Sequence, residues 1–145
     1  MSLINGLRSS LLAGAVMACG LAQAGIPTSL SEKVGKLAAE QQPELEKVFR
    51  QLHANPELAF DLHDTSALVA KRLKKLGFQV HTGIAETGLA AVLKNGDGPV
   101  IMFRSDMDAL PVKEESGLPY ASKKQVELDD GSTRYVSHAC GHDSH

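Results

Sequence analysis

The sequence has no tryptophan, only two cysteines in 145 residues, and no surplus of positive charge: 15 Lys and Arg stand against 17 Asp and Glu, a formal charge of −2. Two cysteines make at most one bridge, which excludes a fold held together by a disulfide framework. Without a clustered excess of Lys and Arg, no surface for nucleic acid or an anionic membrane is expected. Nor is the composition extreme. With 43% apolar and 22% charged residues it is that of an ordinary globular domain, which argues against wholesale disorder. The apolar run at residues 11–22 (LLAGAVMACGLA) falls well short of the roughly 20 residues that span a bilayer. The length suits one domain, or part of a larger one.

That run lies in a segment, residues 1–24, with no acidic residue and a single basic one, Arg8; it ends in Ala22-Gln23-Ala24. Basic start, apolar centre and small-x-small end are the order of a secretory signal, so the sequence predicts export with cleavage after Ala24. A membrane anchor is the alternative that the short run disfavours. Lipoprotein processing at Cys19 is another, with Met17 a poor fit to that motif. Once the signal is removed Cys140 is the cysteine that remains, and an unpaired thiol in an oxidising compartment should be buried or bound.

The exported part reads as helix, helix, then strands. Residues 29–41 form a weakly amphipathic helical lead-in. A helix then starts at Pro43, with Glu44 and Glu46 near the positive end of its dipole. Leu45, Val48, Phe49 and Leu52 make its apolar stripe, and Pro56 ends it around His53 or Ala54. A second helix is predicted over about residues 64–76. Asp64 or Thr65 caps it, Leu68, Val69, Leu73 and Leu76 face inward, and Gly77 stops it. Lys71, Arg72, Lys74 and Lys75 form its solvated face. Residues 78–81, 89–94 and 99–104 read as strands, the last two joined by Asn95-Gly96-Asp97-Gly98, with Tyr135-Val136 a further short one. Val100-Ile101-Met102-Phe103 is apolar without alternation, as a strand buried on both faces would be. The predicted class is α/β with a mixed sheet.

Two stretches concentrate reactive groups. Asp106 and Asp108 leave the end of the predicted 99–104 strand, where open α/β sheets place their sites, and extended backbone points both carboxylates the same way. Such a pair needs a cation, a shared proton or a hydrogen-bonded histidine, although an Asp at a strand end also caps turns. The second stretch, residues 138–145, is His-Ala-Cys-Gly-His-Asp-Ser-His. Extended backbone puts His138, Cys140 and His142 on one face; helical backbone puts His138, His142 and His145 there. Gly141 lets the chain bend so that Cys140 and His142 converge on one ion. Thiolate with imidazole suits a borderline-soft divalent metal such as zinc, nickel or manganese, and Asp143 is placed to fix a histidine tautomer. The alternatives are an inert buried Cys140, an incidental surface histidine cluster, or a Cys140 nucleophile with a histidine base. Glu114 and Glu115 read as solvent-exposed loop charge.

Four stretches, in order, resemble the aminoacylase, hippurate-hydrolase and auxin-conjugate-hydrolase group of metal-dependent amidohydrolases, relatives of the co-catalytic zinc exopeptidases. They are Leu52-His53-Ala54-Asn55-Pro56-Glu57-Leu58, Phe103-Arg104-Ser105-Asp106-Met107-Asp108-Ala109-Leu110-Pro111, Leu118-Pro119-Tyr120-Ala121-Ser122 and His138-Ala139-Cys140-Gly141-His142-Asp143. The resemblance covers roughly residues 43–145. It implies a zinc-exopeptidase-like catalytic domain, a mixed central sheet flanked by helices, that hydrolyses the amide bond of an N-acyl amino acid or peptide. Two divalent ions (Zn, Mn or Ni) would polarise the carbonyl and activate a bridging water. By the same resemblance Cys140 and His142 are metal ligands, Asp108 orients the metal site, and His138 and Asp143 support the ligands from behind. Asp106 stands where distant relatives have a histidine ligand and is not counted as one.

The resemblance also implies that the general-base glutamate, the remaining ligands (a glutamate and two histidines) and a lid and dimerisation domain lie downstream. These 145 residues are therefore expected to be the N-terminal portion of an enzyme, inactive alone, whose complete form is a homodimer. The segment between Ser122 and Ser137 is longer than usual before the last motif and should form a surface hairpin around Asp129-Asp130-Gly131. The rival function is an exported, non-enzymatic metal-binding module with a His- and Cys-rich tail.

Overall fold

A computed structural model describes residues 27–145; the predicted export signal and Cys19 lie outside the described residues. Residues 37–145 form one compact unit, and every candidate site residue belongs to it. Helix α1 (Thr28–Ala54) is continuous, where the sequence suggested a lead-in and a fresh start at Pro43. Pro43 removes one amide donor, but residues 37–47 are all exposed, so water can satisfy the carbonyl left without a partner. Val48, Phe49 and Leu52 are half-buried as expected, whereas Leu45 is exposed.

Helix α2 (His63–Lys75) ends as predicted. Gly77 sits at φ +88, and the amides of Gly77 and Phe78 return to the carbonyls of Lys74 and Leu73 at 3.0 and 3.1 Å. This double closure needs a left-handed residue, which a glycine supplies without strain. Leu76, expected inward, is exposed just past the helix end. Of the predicted solvated face, Lys71, Lys74 and Lys75 are exposed, and Arg72 instead reaches Glu44 of α1 at 3.1 Å.

The start of α2 is capped from outside. Leu62 occupies the cap position without a side-chain bond, so neither Asp64 nor Thr65 does the work. The buried carboxylate of Glu57 accepts the Asp64 amide at 3.1 Å through Oε1 and the Thr65 amide at 2.7 Å through Oε2. Burial pushes this carboxyl up, but the bonds from Thr65 and Asp64 and the charge of Lys124 outweigh it and leave it below the usual range. Glu57→Gln is expected to cost about 1–2 kcal/mol of stability at neutral pH, the scale of a lost cap. A lowered carboxyl stabilises above the unfolded value, about 4.3, and loses that contribution as pH falls through its folded value. Urea titrations should therefore show the deficit of the variant shrinking in acid. A deficit that does not change with pH would remove the charged cap from the account.

Strands β1 (Gln79–Ile84) and β2 (Gly88–Val92) form an antiparallel hairpin, with Gln79 opposite Val92 and an irregularity between Thr82 and Ile84. Helix α2 packs against both strands. Strands β3 (Gln125–Glu127) and β4 (Thr133–Tyr135) form a second antiparallel hairpin, the one expected around residues 129–131. The composition is α/β, and the sheets among the described residues are these two hairpins. Residues 99–104 are not a strand and are exposed. A strand buried on both faces requires a neighbour at its edge and a layer on each side, and no described segment supplies either. No helix among the described residues is long and apolar enough to cross a membrane.

Leu62, Ala70, Ala109, Val136 and Pro56 are buried, and three irregular segments are laced together around residues 57, 109–110 and 137. The Ala109 amide donates to the Glu57 carbonyl at 2.7 Å, and Leu110 and Ser137 exchange both backbone bonds at 3.0 Å. The Ser137 hydroxyl donates to the Val112 carbonyl at 2.8 Å. This lacing brings the Asp108 segment and the 138–145 tract together.

Candidate metal centre

Asp108 immediately precedes the Ala109 bridge, and His142 follows the Ser137 bridge by five residues. The two side chains meet: Nδ1 of His142 lies 2.8 Å from the Asp108 carbonyl oxygen and 3.1 Å from its Oδ1. Both are acceptors, so Nδ1 carries the hydrogen, and in the neutral ring the lone pair is then on Nε2. That is the tautomer in which an imidazole binds a metal through Nε2. Cys140, two residues away, is an exposed free thiol, so an inert buried cysteine is excluded. Between them Gly141 takes φ +73, and the turn closes through its amide on the His138 carbonyl at 2.9 Å. A short 3-10 helix (His142–Ser144) follows.

The spacing of Asp106 and Asp108 suggested that both carboxylates point the same way, and the structure separates them. The Asp106 carboxylate pairs with Arg104 at 2.6 Å while that of Asp108 turns to His142, so the alternating aspartates do not share one partner. Asp143 does fix a histidine, and that histidine is His53 in the last turn of α1, whose Nδ1 is 2.6 Å from Asp143 Oδ2. The other ring nitrogen of His53 lies 3.0 Å from Oε1 of Glu114. Two carboxylates can both accept only if both nitrogens carry hydrogen. Burial works against charge on this ring, but the bonds to Glu114 and Asp143 prevail and hold His53 above the usual imidazole range.

Glu114 is thus not loose loop charge. Its carboxylate accepts from His53, from the Ser116 hydroxyl and from the Ser122 amide, the last at 2.6 Å, and these bonds hold it below the usual range despite burial, which pushes it up. Glu115 is exposed and pairs with Lys113 at 2.9 Å, in keeping with the sequence reading. His138 is buried, neither ring nitrogen has a partner among the described residues, and burial pushes it toward the neutral form. It lines a shallow hollow with His53, Val112, Glu114 and Ser137.

Among the described residues no three His, Cys, Asp or Glu side chains come together as a full ion site. Cys140 and His142 offer two donors, a thiol and an imidazole whose tautomer is already set. This donor set fits a borderline-soft divalent ion.

No family model matches the chain. It is 48% identical over 105 residues to the hippurate hydrolase of Campylobacter jejuni, an overlap of 72% of this chain and 25% of that protein. It is 41% identical over 97 residues to the N-acetyl-L-cysteine deacetylase of Bacillus subtilis, covering 66% and 21%. An IAA-amino acid hydrolase of Arabidopsis thaliana is 38% identical over 101 residues, covering 70% and 20%. Among solved structures, a Bacillus subtilis dinuclear metal-binding peptidase of the M20 family superposes with a TM-score of 0.59 at 35% identity, over 71% of this chain and 27% of that one. A structure from methicillin-resistant Staphylococcus aureus gives 0.67 at 28% identity, over 79% and 28%. The chain spans about a quarter of the length of these proteins.

Proposed function

We propose, for a chain related by sequence and fold to the aminoacylase, hippurate-hydrolase and auxin-conjugate-hydrolase group of metal-dependent amidohydrolases, that it is the metal-anchoring portion of an exported enzyme cleaving the amide bond of N-acyl amino acids. The observation that carries this reading is the His142–Asp108 contact, which leaves Nε2 as a donor two residues from an exposed thiol. Cys140 and His142 hold a divalent ion (Zn, Mn or Ni), and Asp108 keeps the imidazole in its binding tautomer. A divalent ion bound there would polarise the scissile carbonyl and lower the pKa of a water.

No carboxylate of the site is spare for proton transfer. Glu114 and Asp143 are engaged with His53, and Asp108 with His142. By the resemblance, the general base is proposed to be a glutamate outside these residues, and a homodimer is the proposed complete form. Export with cleavage after Ala24 belongs to the same proposal.

The test starts from the intact mass and N-terminal residue of the natural product, followed by hydrolysis of hippurate and N-acetyl amino acids. A mass well above that of this chain, an N-terminus at Gly25, and hydrolysis stopped by a chelator and restored by Zn²⁺, Mn²⁺ or Ni²⁺ are expected. Hydrolysis that continues in metal-free protein would overturn the metal assignment. A natural product of residues 25–145 that binds metal without hydrolysing any of these substrates would establish the binding-module alternative.

A further inference from the structure

His53 is not one of the proposed ligands, yet its side chain is held by two carboxylates and two aromatic rings. Its ring is wedged between Phe49, with centroids 5.4 Å apart, and Tyr120, 5.3 Å away and inclined by 78°. Both nitrogens are taken by carboxylates from segments 61 and 90 residues away. Asp143, only 2% exposed, is one of these partners and is the immediate neighbour of His142 in the 3-10 turn. The turn is thus held from two sides, Asp143 by α1 and His142 by Asp108. A turn of three residues has little freedom between two such anchors, so the direction of the His142 ring depends on the anchor at Asp143.

We propose that His53 is a positioning residue for His142: by holding Asp143 it fixes the 142–144 turn, and with it the His142–Asp108 contact that leaves Nε2 as the donor. The consequence for metal binding rests on the reading of the preceding subsection; the orientation of the ring does not.

Two substitutions separate positioning from simple support. His53→Asn places an amide nitrogen near the position of Nδ1 and keeps a donor for Asp143. His53→Gln places it near Nε2 and keeps a donor for Glu114. Both lose the same ring from the same aromatic slot. In the complete protein freed of metal, ¹⁵N NMR of the histidine rings should show His142 as the Nδ1–H tautomer in the parent and in His53→Asn, and as a mixture in His53→Gln. Co²⁺ titrated as a probe should bind roughly tenfold more weakly to His53→Gln, the lower end of the effect of a supporting residue, and near the parent level to His53→Asn. Asp143→Ala gives the same reading as the glutamine variant, should that variant not fold. Equal His142 signals in both variants, whether both retained or both lost, would overturn the proposal. A parent chain that takes up no Co²⁺ overturns the metal reading instead, while the ring signals still decide the positioning role.

Discussion

Cys140→Ser in the complete enzyme should lose tight metal binding and hydrolysis together, by more than about 100-fold, since even residues that only support a ligand cost 10- to 100-fold. On binding a divalent ion a thiol releases its proton to solvent and becomes a strong, soft donor; a serine hydroxyl at neutral pH does not. The exposure of Cys140 leaves it available for that role, and Gly141 at φ +73 turns the chain between it and His142. Metal content and hydrolysis rate, measured on the same preparation, separate the readings. Normal metal with no hydrolysis would make Cys140 a nucleophile. Normal metal with full hydrolysis would remove it from the ligand set altogether.

The second large effect concerns association. Val100, Ile101, Met102 and Phe103 are 98, 73, 86 and 91% exposed, in a stretch that pairs with no strand among the described residues. Burying a side chain of this kind is worth about 1.5–3 kcal/mol, and unpaired backbone beside it offers a ready edge for another chain. The 145-residue chain should therefore self-associate at micromolar concentration and bind a dye that reports apolar surface. Ile101→Lys with Phe103→Glu should turn most of it into monomer, read by sedimentation velocity. A parent that stays monomeric and binds no dye would show that this stretch is covered in solution.

Local patterns in the sequence were legible where the structure uses local rules. Helix α2 follows its apolar period to a glycine stop, and the 129–131 hairpin follows its turn residues. The His-x-Cys-Gly-His-Asp tract also announces itself, because few folds crowd such donors without a use for them. What could not be read locally is what closes over long separations. Glu57 caps a helix whose first free amides lie seven and eight residues ahead, with none of the usual cap residues at the cap position. His53, Glu114 and Asp143 look unrelated until α1, the 112–116 loop and the 3-10 turn meet. The only earlier sign of His53 was its place in the first of the matched stretches, one helical turn after Phe49 on the half-buried side of α1. Residues 99–104 teach the converse. An apolar run states what kind of surface a segment is made to meet, and says nothing of where in the polypeptide that surface is encoded.

The β3–β4 hairpin is tied off at its foot: the Val136 amide donates to the Lys124 carbonyl at 3.0 Å, and the Ser122 hydroxyl to the Val136 carbonyl at 2.7 Å. Those two bonds separate the hairpin from the proposed metal-binding tract that begins at His138, although Tyr135 still meets Lys113, whose Nζ lies 6.0 Å from its ring. Closure entropy grows only logarithmically with length, about 0.6 kcal/mol for each doubling. The tip between Asp130 and Gly131 is consequently a permissive graft point, where an epitope or a fluorophore attachment sequence could ride close to the chemistry without entering it.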